Sequence, residues 1–366
     1  MKEISYAPIL KWKQGEYTAL KELYSQDKAA LTPLVEIIPI PTVWDEDKAP
    51  IELDAHVAKL PGQVATHWGK EDPIWVDSWL LQDERLLPDG THVFRWILDQ
   101  LRHEGVKAIP VVWLDSDQAT LDAAKSAVET GGRGACIRFD ETAGDDPKLQ
   151  AMLEVLLSNL GLEPEDVDIV LDAGAVRPSE VDRTAISCRH ILARLPYLRQ
   201  WRTLIFASSG FPENMSGQDV GISTIQRADW LTWQRLFAEH HEGRIERLPL
   251  FSDYAIAHPE IADLDPRTMQ MSANIRYTSV DTWVIFKGRG VRRYGFDQIF
   301  DLSADLIADG RYRGQGFSFG DAAYYRRGTH RDSKGNASQW RRDATSHHLT
   351  FVVRQIAAGS EPVRVE

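Results

Sequence analysis

Eight short apolar runs, each followed by a longer segment of helical period, constrain this chain more than any other feature. The runs are Tyr6–Trp12, Leu31–Ile38, Pro73–Asp77, Val106–Leu114, Ala135–Phe139, Val167–Leu171, Arg202–Ala207 and Leu248–Phe251. They are rich in β-branched and aromatic residues, which favour strands. Ala108-Ile109-Pro110-Val111-Val112-Trp113 is apolar throughout, as expected of a parallel strand covered on both faces. Between the runs lie helix candidates at Glu16–Tyr24, Leu53–Leu60, His92–His103, Gln118–Thr130, Pro147–Leu160, Pro178–Leu195 and Ala228–His241. Asp146-Pro147 and Arg177-Pro178-Ser179-Glu180 supply helix-start chemistry.

Eight strands alternating with helices over roughly 255 residues predict a (βα)8 TIM-type barrel, which typically needs about 250. A doubly wound open sheet shows the same alternation and is the alternative. Beyond the barrel, Asn274–Thr278 and Thr282–Lys287 flank Ser279-Val280-Asp281 and read as an added β-hairpin, one arm of which could instead be the last barrel strand. Asp297–Ala308 reads as a helix, Gly310–Asn336 as a long loop, and Ser346–Ile356 as a final strand or helix. The expected division is a barrel over residues 1–270, with hairpin, helix and basic C-terminal extension over 271–366 packed on it.

At 366 residues with 43% hydrophobic side chains, the chain can bury a large core. It contains no apolar run near the roughly 20 residues of a membrane span. Met1-Lys2-Glu3-Ile4-Ser5 has no apolar stretch of a secretory signal, and two cysteines, Cys136 and Cys188, make no disulfide framework. The expectation is a cytoplasmic protein without a membrane partner. The net charge of −12 is uneven: from Gly310 onward 10 Lys+Arg face 5 Asp+Glu, whereas the first 309 residues carry 32 against 49. Bulk attraction to nucleic acid is therefore not expected, and the basic tail suits either the acidic body or a local anionic ligand.

Polar residues gather at the C-terminal ends of the runs: Lys11 and Lys13, Glu36, Asp77, Asp115, Arg138, Asp172, Ser208-Ser209 and Asp253. In a barrel these ends meet at the mouth where active sites are built. An Asp after a strand is also a common helix cap, which applies to Asp115 and Asp140. Lys11, Glu36 and Arg138 sit inside apolar runs, where an unpaired charge is costly. Glu36, Asp77, Asp115 and Asp172 could hold Mg²⁺ through oxygen ligands, with Lys11, Lys13 and Arg138 on phosphate oxygens and Ser208-Ser209-Gly210 giving backbone N–H groups. The same charges could equally neutralise one another as a buried ion network without a ligand. In the tail, Arg326 or His348 could complete the site.

Pro8-Ile9-Leu10-Lys11-Trp12-Lys13-Gln14-Gly15-Glu16-Tyr17, then Pro33-Leu34-Val35-Glu36-Ile37, resembles the beta family of phage and satellite-phage proteins. Similar pieces are Pro73–Asp77, Pro110–Val112, Leu171-Asp172, Trp283–Gly288 with its Lys287, and Trp340 with His347-His348. The resemblance implies a place in phage-defence cassettes, one of which pairs the beta protein with a killing protein that it opposes. The resemblance implies a regulatory or neutralising role, and the expectation drawn here is a regulator or sensor that recognises a toxin or other cassette protein, or a phosphate-bearing ligand such as a nucleotide or nucleic acid. It implies Lys11, Lys13, Glu36, Asp77 and His348 as site positions, with no catalytic assignment. The rival expectation is a Mg²⁺-dependent phosphodiester or nucleotide hydrolase built on the mouth carboxylates.

Overall fold

The computed structural model describes residues 4–45, 47, 49–81, 85–261 and 271–359. All eight apolar runs become strands of one parallel sheet. In chain order they are β1 (Ile9–Lys11), β2 (Leu34–Glu36), β3 (Pro73–Asp77), β4 (Lys107–Trp113), β5 (Ala135–Asp140), β6 (Val167–Ala175) and β7 (Thr203–Ser209). After an intervening strand β8 (Gly221–Gln226), the set ends with β9 (Leu250–Asp253). Each pairs with the next, and a parallel bridge between Tyr6 and Phe251 joins the last strand back to the first. The Ala7 N–H donates to the Phe251 carbonyl (3.2 Å), and the Ser252 hydroxyl to the Ala7 carbonyl (2.6 Å). The sheet therefore closes into a barrel, and the open-sheet alternative is set aside.

Strand alternation splits the apolar residues into two cores. Ile9, Leu34, Trp75, Ile109, Val111, Cys136, Val170, Ile205 and Ala207 fill the barrel interior. Leu10, Val35, Val76, Ile137, Leu171, Phe206 and Phe251 face outward against the helices. Opposite the mouth, Trp75 donates its indole N–H to Asp168 (2.7 Å), which Arg202 grips through Nε (2.9 Å) and Nη2 (2.6 Å).

The helices between strands follow the sequence pattern closely: Ala228–His241 occupies its expected range, and Val93–His103, Gln118–Gly131 and Val181–Arg194 lie within a residue or a turn of theirs. The last strand differs. Between β9 and the helix that packs beside Gln14–Lys21 lie, among the described residues, the hairpin and three further helices. That final helix, Ala337–Ala357, sends Leu349, Val352 and Val353 into the layer around the barrel. The expected alternative of a strand at Ser346–Ile356 is thus replaced by a helix, begun by Asn336, whose side chain accepts from Gln339 N (3.0 Å).

β10 (Ser272–Thr278) and β11 (Thr282–Gly290) form the expected hairpin. It is a separate antiparallel sheet of order β10-β11-β8, so neither arm is a barrel strand. Strand β8 leaves the β7 loop to join it, with Lys287 opposite Gly221 and Thr282 opposite Gln226. One face packs Trp283 and Ile285 on Phe211, Met215 and Ile256 from the barrel loops. The other packs Val284, Phe286 and Tyr277 on Ile299, Leu302 and Leu306 of helix Gln298–Ala308.

The loop expected over Gly310–Asn336 is corrected in part: Phe319–His330 is a helix, capped by Ser318, whose hydroxyl accepts from Asp321 N (3.1 Å). It packs so closely on Ala337–Ala357 that a Cβ on Gly320 would stand 1.9 Å from the Asp343 carbonyl oxygen. Gly320→Ala should therefore force these helices apart and cost about 1–3 kcal/mol. Urea unfolding would check this, and an unchanged midpoint would contradict it.

Candidate functional site

The C-terminal ends of the strands bring five of the expected residues into one cluster. Lys11, Glu36, Asp77, Arg138 and Asp172 each lie two residues beyond an interior apolar residue of the same strand, so the alternation aims all five inward. All five are buried. Arg138 is the hub. Its guanidinium reaches Asp77 Oδ2 (2.8 Å), Asp172 Oδ2 (2.6 Å) and Glu36 Oε1 (2.9 Å). Glu36 Oε2 accepts from Lys11 Nζ (2.9 Å), which also donates to the Pro259 carbonyl.

Two aromatic residues complete the cluster. Arg138 lies 4.7 Å from the Trp113 ring centroid, and the Trp113 indole N–H donates to Asp77 Oδ2 (3.1 Å). The Tyr254 hydroxyl contacts both Arg138 and Asp172. Burial works against the Arg138 charge, but Tyr254, Asp172, Glu36 and Asp77 outweigh it and raise its pKa well above the usual value. Burial raises the Asp77 pKa while Arg138 opposes, and burial raises that of Tyr254 well above its usual value.

This geometry answers the Mg²⁺ expectation. Glu36, Asp77 and Asp172 turn their oxygens on Arg138, which stands where a shared cation would have to sit. Asp115 is exposed on the turn after β4 and apart from them. Among the described residues no group of three or more His, Cys, Asp or Glu side chains is placed to hold a metal ion. The carboxylates form the self-neutralising ion network that was the alternative reading.

The other expected residues part company. Asp140 is a helix cap, accepting from Ala143 N (2.8 Å). In β7, Ala207 and Ser209 point one way and Ser208 the other. Ser209 donates to the Ala257 carbonyl (2.9 Å), whereas the Ser208 hydroxyl is buried without a hydrogen-bond partner. Asp253 also points outward, away from the mouth. It accepts from the Ala255 N–H (2.9 Å), contacts the Tyr6 hydroxyl, and pairs with His348 Nε2 (2.9 Å) from the final helix. His348 Nδ1 meets the Thr278 hydroxyl (2.9 Å). His348 thus ties the final helix to β9 and β10 rather than completing the mouth. Arg326 pairs with Asp332 instead (3.4 Å).

Asp229 lies near this outer cluster, buried at the start of Ala228–His241. Burial pushes its pKa up to about 7, with Arg227 opposing and Asp253 adding to the rise. A folded-state value above the unfolded value of about 3.9 means that its contribution is complete below pH ~4 and is lost as pH rises to ~7. Asp229→Asn should remove that slope. The stability difference between variant and parent should grow by about 1–3 kcal/mol in the variant's favour from pH 4 to pH 8. Urea unfolding at several pH values reads this directly, and a pH-independent difference would refute it.

Above the ion network lies a cleft of about 560 Å³ between the barrel mouth and the three-stranded sheet. Lys11 and Glu16 line it from the barrel side, Arg276 and Lys287 from the sheet, and Arg341 from the final helix. Lys13 is exposed at its edge. Arg276 makes no ion pair among the described residues, donating only to Asn274 Oδ1 (3.3 Å) and the Ile256 carbonyl (3.1 Å). Lys287 is spent on two carbonyls, Met215 and Gln218. Among the described lining residues the one buried carboxylate, Glu16, stands 3.7 Å from Arg341 and accepts from the Lys11 N–H (2.8 Å).

The cations crowd one another. Burial and then Arg341 lower the pKa of Arg276 to about 9, against Glu16, which leaves it charged at neutral pH. Partial burial lowers that of Lys13, with Glu16 opposing and Arg341 and Lys11 adding to the fall. Gly15 permits the arrangement, since a Cβ there would lie 2.5 Å from Arg341 Cγ. The strand-end pattern pointed to Lys11 but not to Arg276, Arg341 or Glu16 as its companions. For Arg276 the available signal was parity in β10, where Asn274 and Arg276 alternate with Ala273, Ile275 and Tyr277.

Fold and site together define a parallel (βα)8 barrel whose mouth is filled by an ion network and roofed by an antiparallel sheet. The chain belongs to the Beta protein family, whose model matches residues 6–354. No curated protein matches the sequence. Among solved structures, triosephosphate isomerase from Bartonella henselae is similar over 56% of this chain and 84% of its own, at 13% identity and a TM-score of 0.31. A mutant tryptophan synthase alpha-subunit from the hyperthermophile Pyrococcus furiosus is similar over 67% and 93%, at 12% identity and a TM-score of 0.35. A structure of PhdJ bound to a substrate intermediate is similar over 89% and 97%, at 10% identity and a TM-score of 0.29. Among the described residues no helix is long and apolar enough to cross a membrane.

Proposed function

We propose that this chain is a regulator or sensor of a defence cassette that recognises a phosphate-bearing small ligand in the mouth cleft. The observation that carries the reading is the gathering of Lys13, Arg276, Lys287 and Arg341 around one cleft where, among the described residues, Glu16 is the only buried carboxylate. Glu213 and Glu260 line the cleft from exposed positions and Glu16 stands near Arg341, so the cations outnumber the carboxylates, and cations held together in excess are preorganised for an anion. The cleft has the size of a small-molecule site. Binding rather than hydrolysis is the favoured chemistry, because the carboxylates that a metal-dependent hydrolase needs are committed to Arg138.

Thermal unfolding in EDTA with pyrophosphate and a panel of nucleoside phosphates tests this. A ligand selective for the folded state at about 100 times its Kd should add about 2.7 kcal/mol, a rise of several degrees. The phosphates should be recovered intact. Turnover that appears with Mg²⁺ and vanishes with Asp77→Asn would favour the hydrolase instead. No shift with any phosphate would remove the reading.

A further inference from the structure

The final helix carries Arg341 into the mouth cleft and, ten residues on, Phe351 into a second cavity of about 230 Å³. At about 1.5 Å per residue the two stand about 15 Å apart along the helix axis. Trp230, Phe317 and Phe351 give the second cavity aromatic walls. Arg313 lies over both phenyl rings, 5.9 Å from the centroid of Phe317 and 5.2 Å from that of Phe351. Its guanidinium has no hydrogen-bond or carboxylate partner among the described residues. Arg354, on the same wall, is already paired with Asp27 through Nε (3.1 Å) and Nη2 (2.9 Å). The Trp230 indole N–H is buried and without a partner among the described residues.

Aromatic walls and one uncommitted guanidinium describe the complement of a flat acid. We propose that this cavity binds a small aromatic carboxylate, with its ring against Phe317 and Phe351 and its carboxylate on Arg313. Arginine takes a carboxylate through two parallel N–H bonds. Ring contacts with Phe317 and Phe351 would supply the apolar part of the affinity. The volume admits one or two fused rings and is too small for a nucleotide, so the site is distinct in chemistry from the mouth cleft.

The test titrates indole-3-acetate and 3-phenylpropionate into the full chain while the indole N–H resonances of ¹⁵N-labelled protein are followed. Trp230→Phe assigns the Trp230 signal. Both acids should move that signal saturably. The matching amides, and Arg313→Gln with either acid, should bind at least about 10-fold more weakly. Arg313 is exposed, so its replacement leaves the core intact, and it keeps the test decisive should Trp230→Phe not fold. Equal binding of acid and amide, parental affinity in Arg313→Gln, or no saturable shift up to about 10 mM acid would overturn the proposal.

Discussion

Arg138→Met should destabilise the fold by about 3–5 kcal/mol, the largest loss expected of any single substitution at the mouth. Methionine fills much of the same volume, so the cost comes from what is left behind. Three carboxylates, Glu36, Asp77 and Asp172, would face one another in a buried space with only Lys11 to offset them. Each would have to take up a proton or admit water. The loss should therefore shrink as pH falls towards 4, since protonation then removes the repulsion. Combining Arg138→Met with Asp77→Asn and Asp172→Asn should recover part of the stability, because the Lys11–Glu36 pair that remains carries no net charge. Urea unfolding of the single and combined variants separates the effects. A loss below about 1 kcal/mol in the single variant would mean that Arg138 is not the hub that its contacts describe.

Charge reversal in the cleft should have the second large effect, this time on binding. Lys13→Glu alters an exposed side chain, and Arg276→Glu alters one whose hydrogen bonds go only to Asn274 and a carbonyl. Each charge-assisted bond to an anion contributes about 1.5–3 kcal/mol, and a reversed charge adds repulsion to its loss. The double variant should bind pyrophosphate at least about 100-fold more weakly by calorimetry while unfolding near the parental temperature. Affinity in the parent should fall from about 50 to about 500 mM salt, as screening shortens the reach of these charges. Equal affinity in parent and double variant would detach the cleft from ligand recognition.

Much of this architecture was readable from residues because buried parallel strands carry continuous apolar runs, and all eight such runs entered the barrel. Strand β8 was not readable. Gly221-Ile222-Ser223-Thr224-Ile225-Gln226 is a largely exposed edge strand whose partner, β11, follows some sixty residues later. The helix Phe319–His330 was hidden by Gly320 and Gly328, poor helix formers that let it press against its neighbours. Its one clear signal was Ser318 three residues before Asp321.

The site divides in the same way. Lys11, Glu36, Asp77, Arg138 and Asp172 stood out because a charge inside an apolar strand needs a partner. Counting parity along β7 would already have separated Ser208 from Ser209. Arg276, Arg341 and Glu16 come from the hairpin, the last helix and the first helix. Only the three-dimensional path of the final helix past Gly15 brings them together.

The most direct measurement is the position of a heavy tetrahedral oxyanion, such as tungstate, located by anomalous scattering in crystals of the protein. The account predicts an anomalous peak in the mouth cleft within bonding distance of Arg276 and at least one of Lys13, Lys287 and Arg341. Tungstate-soaked crystals that show no such peak would contradict it.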